Sequence, residues 1–370
     1  MKYRLLDLVC CPECGAELQC EPTELQMLDG VEEVIEGELV CESGHFYPVI
    51  GGIPRLLPAT LLSETLQRFK PDYYQRYRDR LPATPEGELE VVKETLRSFS
   101  YQWNRFSEMY EQWEENFLSY FQPLVDPAEF DDKLVLDAGC GFGRHAYYAG
   151  KYGAEVVAMD LSEAVETAHH NTREHQAVHV VQADIYRPPL RARFDFIYCV
   201  GVIQHLPAPK EGFLSLARYL KDGGAQFVWV YGKRTGIYRL VDLMRTVTTR
   251  IPMRPLYGLT FLLNIASYLA FSLPHKVLRC IPGGGRLAAA WPFTRYADLP
   301  LRVGHADWFD RLSVPSTVYF TRAEVEGWFA SAGLADVEIS SRDAIGWRAL
   351  GRLAPSSNHR SIDVSEDRVR

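Results

Sequence analysis

The chain has 370 residues, of which 47% are hydrophobic and 24% are charged. This composition excludes a disordered or fibrous chain, and the length predicts two to three domains. The formal net charge is −8 at pH 7, so the molecule as a whole is not a basic nucleic-acid-binding protein. The charge is uneven, since residues 1–58 carry three Lys or Arg against eleven acids and residues 231–302 carry eleven against two.

The first 41 residues contain five of the eight cysteines. Cysteines clustered in this way indicate metal binding in a reducing compartment rather than a disulfide framework. The N-terminal run also lacks the apolar core and the small-residue cleavage site of a signal peptide. We therefore expect a cytoplasmic protein.

Two short motifs in this segment supply four candidate metal ligands, Cys11, Cys14, Cys41 and His45. The first motif is a C-x-x-C turn, and the second is a C-x-x-x-H sequence that starts 27 positions after Cys14. Three thiolates and one imidazole make a complete tetrahedral set for a structural Zn²⁺. Because Gly44 stands where a second C-x-x-C would place sulfur, His45 is predicted as the fourth ligand, with Cys10 and Cys20 as alternatives. Buried cysteines without a metal are the competing interpretation.

The residues around these motifs, LLDLVCCPECGAEL and GELVCESGHFYPVIGGIPRLLP, resemble the small zinc domain of tRNA-methyltransferase activator proteins. Those domains usually end in a second C-x-x-C. The C-x-x-x-H ending of this chain is instead similar to the zinc domain of bacterial rRNA guanine methyltransferases. The resemblance implies a small zinc-binding β domain over residues 1–58.

Residues 59–123 carry aromatic side chains at helical spacing, for example Phe99, Trp103 and Phe106. This spacing predicts a helical linker or lid. One interpretation places the helix over a bound cofactor, with Tyr101 in contact with it and the neighbouring aromatic rings excluding water. The other is ordinary core packing.

From Lys133 onward, predicted strands alternate with predicted helices. Strands are predicted at 133–138, 155–159, 178–182, 194–200 and 225–231, and helices between them at 143–152, 162–174 and 210–220. After an insert, a further helix is predicted at 321–332 and two further strands at 335–340 and 347–353. Such alternation is typical of a parallel sheet covered by helices on both faces. The polar residues 356–370 are predicted to form a disordered tail.

The ends of the predicted strands carry glycines and acids in a definite order. The first strand runs into Asp137-Ala-Gly139-Cys-Gly141-Phe-Gly143, where glycines let the backbone turn sharply and approach a ligand closely. The second strand ends in Asp160, about 20 residues further on, which is placed to bind ribose hydroxyls. The pattern favours a cofactor with a nucleoside part.

This set of motifs resembles class I S-adenosylmethionine-dependent methyltransferases of the type 11 group, over residues 124–232 and 321–353. The resemblance implies an α/β fold with a doubly wound, seven-stranded Rossmann-like sheet across residues 124–355. It implies that Gly139, Gly141 and Gly143 line the methionine part of the cofactor and that Asp137 hydrogen-bonds either the loop or the cofactor amine. The other contacts it implies are Asp160 at the ribose, Leu161, Asp184 and Ile185 at the adenine, and Cys199, Val200 and Gly201 beside the methionine part. An NAD-dependent oxidoreductase is the nearest rival, but the acids at 137 and 184 favour the methyl donor.

Methyl transfer is an in-line displacement, so such an enzyme mainly positions donor and acceptor and excludes water. A general base is needed only when the acceptor must lose a proton. His205 directly follows the fourth strand, at the carboxyl edge where open α/β sheets bind ligands, and is the candidate base. The alternative is a histidine that caps a helix or packs on the cofactor. Tyr231, at the end of the fifth strand, is a second candidate for the catalytic pocket.

An apolar and basic insert, predicted to be helical, occupies residues 233–302. Its segment 255–275 contains no Lys, Arg, Asp or Glu and is long enough on count alone to span a bilayer. We consider three interpretations of this segment: a lid over the substrate pocket, an interfacial membrane anchor, or a membrane-spanning helix. The last is disfavoured because the chain would have to leave one sheet and then rejoin it. The following residues, His305–Asp310, either place polar groups in the pocket or anchor the returning chain.

These features predict a cytoplasmic, S-adenosylmethionine-dependent methyltransferase with a zinc-bearing N-terminal domain, and they leave peripheral membrane contact through 255–275 open. The apolar, cationic insert suggests a small, hydrophobic or anionic acceptor, such as a natural product, a lipid-like molecule or a carrier-bound intermediate. The main alternative is an RNA methyltransferase that binds its substrate through the zinc domain; the net charge of −8 weighs against it, and the basic insert favours it. A second alternative, a non-methylating S-adenosylmethionine-binding enzyme or a scaffold, conflicts with the intact glycines and acids.

Overall fold

The computed structural model describes residues 1–28, 30–82, 90–233, 237–292, 294–342 and 346–355. The predicted tail at 356–370 therefore lies outside the described residues. Within the described part of the chain, eleven strands form one continuous sheet.

The N-terminal module is an antiparallel meander of β1 (Leu18–Leu28), β2 (Val31–Cys41), β3 (Phe46–Ile50) and β4 (Ile53–Leu56). β1 and β2 have 11 residues each. Leu5, from a 3₁₀ turn, is buried with Val34 and Leu39 in the same apolar cluster as Leu136 and Val157 of the following domain. The two parts of the chain thus share one core.

The predicted helical segment after this module contains four helices. They are α1 (Ala59–Phe69), α2 (Pro71–Tyr77), α3 (Glu90–Arg105) and α4 (Trp113–Phe121). Phe117 and Phe121, both fully buried on α4, pack with Phe130 on the main sheet.

The alternation of strands and helices predicted from Lys133 is confirmed. The strands are β5 (Leu134–Ala138), β6 (Glu155–Asp160), β7 (Val178–Ala183), β8 (Phe194–Val200), β9 (Leu220–Tyr231), β10 (Leu334–Arg342) and β11 (Gly346–Leu353), and the helices between the first of these are α5 (Arg144–Lys151), α6 (Ala164–Thr172) and α7 (Pro209–Ala217).

These seven strands lie in the order β7-β6-β5-β8-β9-β11-β10, and β11 is antiparallel to its neighbours. The predicted doubly wound, seven-stranded sheet is therefore confirmed. The strand order reverses between β5 and β8, and in open α/β sheets ligands bind in the crevice at this switch point.

The N-terminal module continues the same sheet edge to edge. β4 pairs in parallel with β7, with Arg55 opposite Gln182. The Arg55 side chain is 1% exposed; its Nη1 donates to Gln182 Oε1 at 2.9 Å, and its Nη2 donates to Glu166 at 2.9 Å. The boundary expected near residue 58 thus follows a strand of a shared sheet.

The prediction of a helical insert is confirmed, but the insert runs beyond residue 302. Its helices are α8 (Ile237–Thr248), α9 (Met253–Ser267), α10 (Leu273–Cys280), α11 (Gly285–Ala290) and α12 (Leu301–Ser313), and α13 (Arg322–Ser331) then leads back to the sheet. His305–Asp310 is part of α12 rather than a closing loop.

A π-helical turn at Tyr268–Ser272 joins α9 to α10, so that Met253–Cys280 is one helix of 28 residues. Pro274 lies inside this helix, where its missing N–H and its ring conflict with an ordinary α-helical ladder. The π turn directly before it absorbs that conflict. In the described chain, one helix, this one, is long and apolar enough to cross a membrane when judged by length and composition alone.

Candidate functional site

The four predicted metal ligands converge at one end of the N-terminal module. The Sγ atoms of Cys11, Cys14 and Cys41 and Nδ1 of His45 lie within 4.8 Å of one another. The sulfurs of Cys14 and Cys41 are 3.7 Å apart, and Cys41 Sγ is 3.4 Å from His45 Nδ1. A tetrahedral Zn²⁺ with bonds of about 2.3 Å to sulfur and about 2.0 Å to nitrogen requires edges of about 3.8 and about 3.5 Å. The donor set therefore fits that ion.

A buried tyrosine that the sequence analysis missed contacts this cluster. Tyr47, on β3, is 2% exposed and its hydroxyl lies 3.1 Å from Cys11 Sγ. Such outer contacts orient metal-binding sulfurs. The alternative ligands Cys10 and Cys20 are not part of the cluster.

The first of two cavities, about 250 Å³ in volume, opens at the carboxyl ends of β5, β6 and β7. It is mostly apolar. Seven of the predicted site residues line it: Gly139, Asp160, Leu161, Asp184, Ile185, Gly201 and His205. Leu61 of α1 and Leu96 and Phe99 of α3 also line it, so the helical segment before the main sheet covers this cavity.

Hydrogen bonds fix the carboxylate of Asp160 in this cavity. Its Oδ2 accepts from the Gly141 backbone N–H at 2.9 Å, and its Oδ1 accepts from the N–H and hydroxyl of Ser162 at 2.8 and 2.7 Å. Burial raises the pKa of Asp160, and these hydrogen bonds oppose the rise. A carboxylate has about four acceptor sites, so a ligand hydroxyl can still bind. Gly141 thus positions Asp160 instead of lining the cavity.

Gly139 keeps the floor of the cavity open. Its φ is +85°, and a Cβ at this position would lie 2.4 Å from Val202 Cγ2. Only glycine combines that backbone angle with so close an approach. Gly143, which lines neither cavity, precedes α5 and packs against Ala168.

Two further acids lie near this edge of the sheet. Asp184 Oδ1 accepts from the Tyr186 backbone N–H at 2.9 Å, and burial raises the pKa of Asp184. Asp137 is 1% exposed, and burial raises its pKa to about 8. Its Oδ2 has no hydrogen-bond partner among the described residues. Asp137 lines neither cavity but lies directly beneath the glycine loop.

The second cavity, about 210 Å³, lies at the ends of β8 and β9 and is walled by α3, α4, α5 and α12. Its aromatic lining consists of Phe99, Trp103, Phe106, Tyr110, Trp113, Tyr120, Phe142, Trp229, Tyr231 and Tyr296. Val200 and Tyr231 are the predicted residues that line this cavity alone. The two cavities share Phe99, Gly201 and His205 and therefore meet at these residues.

His205 lies at this junction with its ring held in one orientation. Its Nδ1 is 2.9 Å from the Ser316 carbonyl oxygen, which can only accept, so Nδ1 donates and Nε2 carries the free lone pair of the neutral ring. Phe99 and Tyr231 contact the ring edge to face, with centroids 5.3 and 5.9 Å away. Burial lowers the pKa of His205, and Asp310 opposes that shift. The imidazole is thus neutral and basic at Nε2 near pH 7.

Two arginines give the far end of the second cavity a positive charge. Arg342 lies 3.8 Å above the ring of Tyr120 and donates to the Ser119 carbonyl and hydroxyl. Arg144 lies 4.6 Å from the ring centre of Trp113, and burial lowers its pKa. Among the described residues, no carboxylate lies within ion-pair distance of either guanidinium.

The other two arginines of this cavity are neutralised. Arg302 pairs with Glu108 and Arg311 pairs with Asp307, each at 2.5 Å. Asp307 and Asp310 both line the cavity from α12, as one of the two interpretations of His305–Asp310 predicts. His305 itself binds Thr260 and the Tyr257 carbonyl inside the insert.

Several polar atoms of the second cavity lack partners. Those without a hydrogen-bond partner in the described structure include Gln102 Oε1, Asn116 Oδ1, Arg144 Nε and Trp229 Nε1; Arg302 Nε also lacks hydrogen-bond geometry but pairs with Glu108. More than nine-tenths of buried polar groups in native proteins are hydrogen-bonded. Their concentration here indicates a cavity made for a polar ligand.

Tyr101 packs against the insert and does not line either cavity. It stacks on Phe309 with ring centres 5.6 Å apart, inside the apolar cluster of the insert. Phe99, two residues earlier on α3, lines both cavities instead. Residues two apart on a helix point to nearly opposite sides. Cys199 is also buried in the core beneath the site.

Sequence reasoning missed Arg144 and Arg342 as site residues. Arg144 is the first residue of α5, directly after the glycine loop, and this position alone could have predicted that it lies near the site. Arg342 lies at the end of β10, about 200 residues later, and nothing in its local sequence marks it.

Family comparisons agree with this architecture. Residues 136–228 match the family model described as a methyltransferase domain, and residues 2–52 match the model described as a Trm112p-like protein. The chain therefore joins a methyltransferase domain to an N-terminal Trm112p-like domain, and both resemblances drawn from the sequence are confirmed.

Two curated relatives show how far the similarity extends. The tRNA U34 carboxymethyltransferase of Psychromonas ingrahamii is 33% identical over 107 residues, covering 28% of this chain and 32% of that protein. A ubiquinone biosynthesis O-methyltransferase of Azoarcus sp. is 30% identical over 138 residues, covering 33% of this chain and 59% of that protein. The chain thus spans about a third to three fifths of the length of these relatives.

Among solved structures, the magnesium protoporphyrin IX methyltransferase of Synechocystis PCC 6803 with bound SAH is 16% identical, with a TM-score of 0.39 over 80% of this chain and all of that one. A complex of the Haloferax volcanii Trm112 methyltransferase activator is 13% identical, with a TM-score of 0.39 over 71% of this chain and 97% of that one. Likeness at this level carries no argument about function.

Proposed function

We propose that the protein is an S-adenosylmethionine-dependent methyltransferase whose first cavity takes the cofactor and whose second cavity takes the methyl acceptor. The observation that carries this proposal is the meeting of the two cavities at Phe99, Gly201 and His205. An in-line displacement needs donor and acceptor to meet end to end with water excluded, and joined, largely buried cavities provide that arrangement.

The first cavity suits the nucleoside part of the cofactor. Its apolar walls fit an adenine ring, and Asp160 is oriented to accept from ribose hydroxyls. Asp184 is the acceptor for the adenine amino group. Asp137, which is buried beneath the glycine loop and lines neither cavity, would act on the cofactor through that loop. When bound, the cofactor supplies an activated methyl group.

The second cavity suits an acceptor that has a flat apolar body and an anionic group. Aromatic rings line its length, and Arg144 and Arg342 place two guanidiniums without acidic partners at one end. An anion there would pair with both guanidiniums. The opposite end of the acceptor would then reach His205, whose Nε2 takes a proton from a hydroxyl or amine as it is methylated.

Calorimetric titration tests the cofactor assignment. We expect S-adenosylhomocysteine to bind and NADH not to bind. Asp160→Asn should weaken binding roughly tenfold to a hundredfold, because it removes a charged acceptor of hydrogen bonds. Asp72→Asn, at an exposed site on α2, is the matched control and should bind like wild type. Tight binding of NADH without binding of S-adenosylhomocysteine would reverse the assignment.

A labelled-methyl screen against fractionated small molecules, lipids and RNA tests the acceptor class. We expect label in a carboxylated or phosphorylated small molecule. Arg144→Gln and Arg342→Gln should then each raise KM at least tenfold, since each removes a charge-assisted contact. Arg68→Gln, exposed on α1, should leave KM unchanged. An uncharged acceptor with unaltered KM in both variants would contradict the anionic class.

RNA is the second candidate acceptor. The basic insert favours it, and one relative is by name a tRNA U34 carboxymethyltransferase. Phosphate binding gives affinities that fall steeply with salt. Label incorporated into RNA, with salt-sensitive binding, would favour this candidate over a small molecule.

We propose further that Cys11, Cys14, Cys41 and His45 hold one structural Zn²⁺. The fit of the donor distances supports this, as does the complete ligand set, which leaves no position for water.

A further inference from the structure

The 28-residue helix Met253–Cys280 has an outer face that no part of the described structure covers. Five of its six exposed apolar residues are Leu259, Leu262, Leu269, Leu273 and Val277, which are between 38% and 65% exposed; the sixth, Phe261, lies to one side and contacts His305. The spacing of the five by three, four or seven residues places them on one side of the helix. We call this side the outer face.

The inner face of the same helix is mixed: Leu256 is buried in an apolar cluster with Phe309 of α12, and polar side chains bond to α12 beside it. Asn264 Nδ2 donates to the Leu301 carbonyl at 2.9 Å, and Ser267 Oγ accepts from Trp308 Nε1 at 3.1 Å. Thr260 Oγ1 lies 3.2 Å from His305 Nε2. The helix therefore turns these hydrogen-bonding side chains, together with the buried Leu256, toward α12, while the five apolar residues of the outer face point away from it. An outer face of this kind requires apolar surroundings.

The exposed charges around the outer face are mostly positive. Arg250 and Arg254 are exposed at its start and Arg286 beyond its end, while Arg279 at its end pairs with Asp298 at 2.7 Å. Residues 243–297 contain no Asp or Glu. An apolar stripe with cationic ends matches an anionic lipid surface, where acyl chains and charged headgroups lie side by side.

We infer that this helix docks in the plane of a bilayer that contains anionic lipids, with its outer face among the acyl chains. A spanning arrangement conflicts with the inner face, where Thr260, Asn264 and Ser267 hydrogen-bond the first half of the helix to α12. Pairing with a second copy through the outer face would bring two cationic flanks together, and like charges oppose that association.

Flotation of the full chain with vesicles tests the inference. The probes are vesicles of phosphatidylcholine alone and of phosphatidylcholine with phosphatidylglycerol. We expect binding to the anionic vesicles, at least tenfold weaker binding to neutral ones, and loss of binding at high salt. The triple variant Leu262→Asn, Leu269→Asn, Val277→Asn should lower binding at least tenfold, and circular dichroism should show an unchanged fold because these side chains are exposed.

Leu25→Asn with Met27→Asn is the control, since these apolar residues are also exposed but lie on β1. This variant should bind vesicles like wild type. Equal vesicle binding by the triple variant would overturn the inference, as would failure of wild type to bind anionic vesicles. A dimer in light scattering that the triple variant dissociates, without vesicle binding, would assign the outer face to a second copy instead. Extraction only by detergent, and not by salt or alkali, would assign a membrane span.

Discussion

At the scale of single residues, His205 decides whether the site can take up a proton. Its Nδ1 is committed to the Ser316 carbonyl, so its protonation state sets whether Nε2 is available. Burial lowers its pKa below the ordinary value of 6.5. The neutral imidazole that the proposed base requires is therefore present at neutral pH and is lost only as pH falls through that lowered pKa.

We expect kcat/KM for the acceptor to stay level from about pH 8 down to about pH 6.5 and to decline only below that. The NMR titration of the His205 ring should give a pKa below 6.5. His205→Gln should lower kcat about a hundredfold and abolish the acidic decline. His170→Gln, an exposed histidine on α6, should change neither. An acidic decline that persists in His205→Gln would exclude this role.

A comparison of Phe99 with Tyr101 shows the limit of residue-level prediction. The sequence shows that α3 is aromatic and helical, and the structure bears this out. Which aromatic faces the cavity depends on the rotation of the helix about its axis, and a two-residue error rotates the choice by about 200°. The insert, which fixes that rotation by packing on Tyr101, lies about 150 residues away in the chain.

At the scale of elements, the junction of β4 with β7 holds the two modules together through a buried ion pair. Arg55 Nη1 lies 3.5 Å from Glu163, whose side chain is 5% exposed, while Nη2 pairs with the half-exposed Glu166. Removal of one partner leaves the other charge buried without compensation. Replacement of Arg55 alone is therefore destabilising, although simultaneous replacement of both ion-pair partners by well-packed apolar residues need not be.

Arg55→Met should lower the free energy of unfolding by roughly 3 kcal/mol in urea denaturation. Arg4→Met is the matched control. Arg4 also links the N-terminal module to the main sheet, through Glu155 at 2.8 Å, but its side chain is 51% exposed. Exposed pairs contribute about 1 kcal/mol or less. Equal losses of unfolding free energy in Arg55→Met and Arg4→Met would show that burial of the Arg55 ion pair does not increase its contribution to the stability of the junction.

The pairing of β4 with β7 could not be predicted from the sequence. Ile53–Leu56 is four residues long, and its partner strand begins about 120 residues later. By contrast, the strands β5 to β8 were predicted within a residue or two, because each is an apolar run bounded by turn residues. Long-range pairing between short edge strands leaves no such local signal.

Helix α12 lies between the second cavity and the long helix of the insert. Arg302 and Asp310 line the second cavity from it, while its Leu301 carbonyl and Trp308 bind the inner face of the long helix. Both α12 and the long helix therefore separate the second cavity from the outer face.

At the scale of the whole molecule, the N-terminal module and the methyltransferase domain form one sheet and share one apolar cluster. Loss of the proposed zinc should consequently destabilise the whole chain and not only the N-terminal module. A structural zinc contributes its binding free energy to folding, and small zinc domains unfold without it.

We expect one zinc per chain by elemental analysis. Cys41→Ser, or chelation of wild type, should remove it and lower the Tm of the whole chain by about 5 °C or more in a single calorimetric transition. Cys20→Ser, outside the cluster, should keep both zinc and Tm. Two separate transitions, with that of the methyltransferase domain unmoved, would contradict the shared core.

The shared sheet also sets an order of events during synthesis. β4 ends at Leu56, and its partner β7 begins at Val178, so the edge of the N-terminal meander emerges from the ribosome about 120 residues ahead of the strand that closes it. At ordinary elongation rates that interval is roughly 6 to 24 s. During it the nascent chain carries an open strand edge, the feature that most readily recruits another polypeptide. Products of translation that stops before residue 178 would keep that edge open and have no native way to cover it.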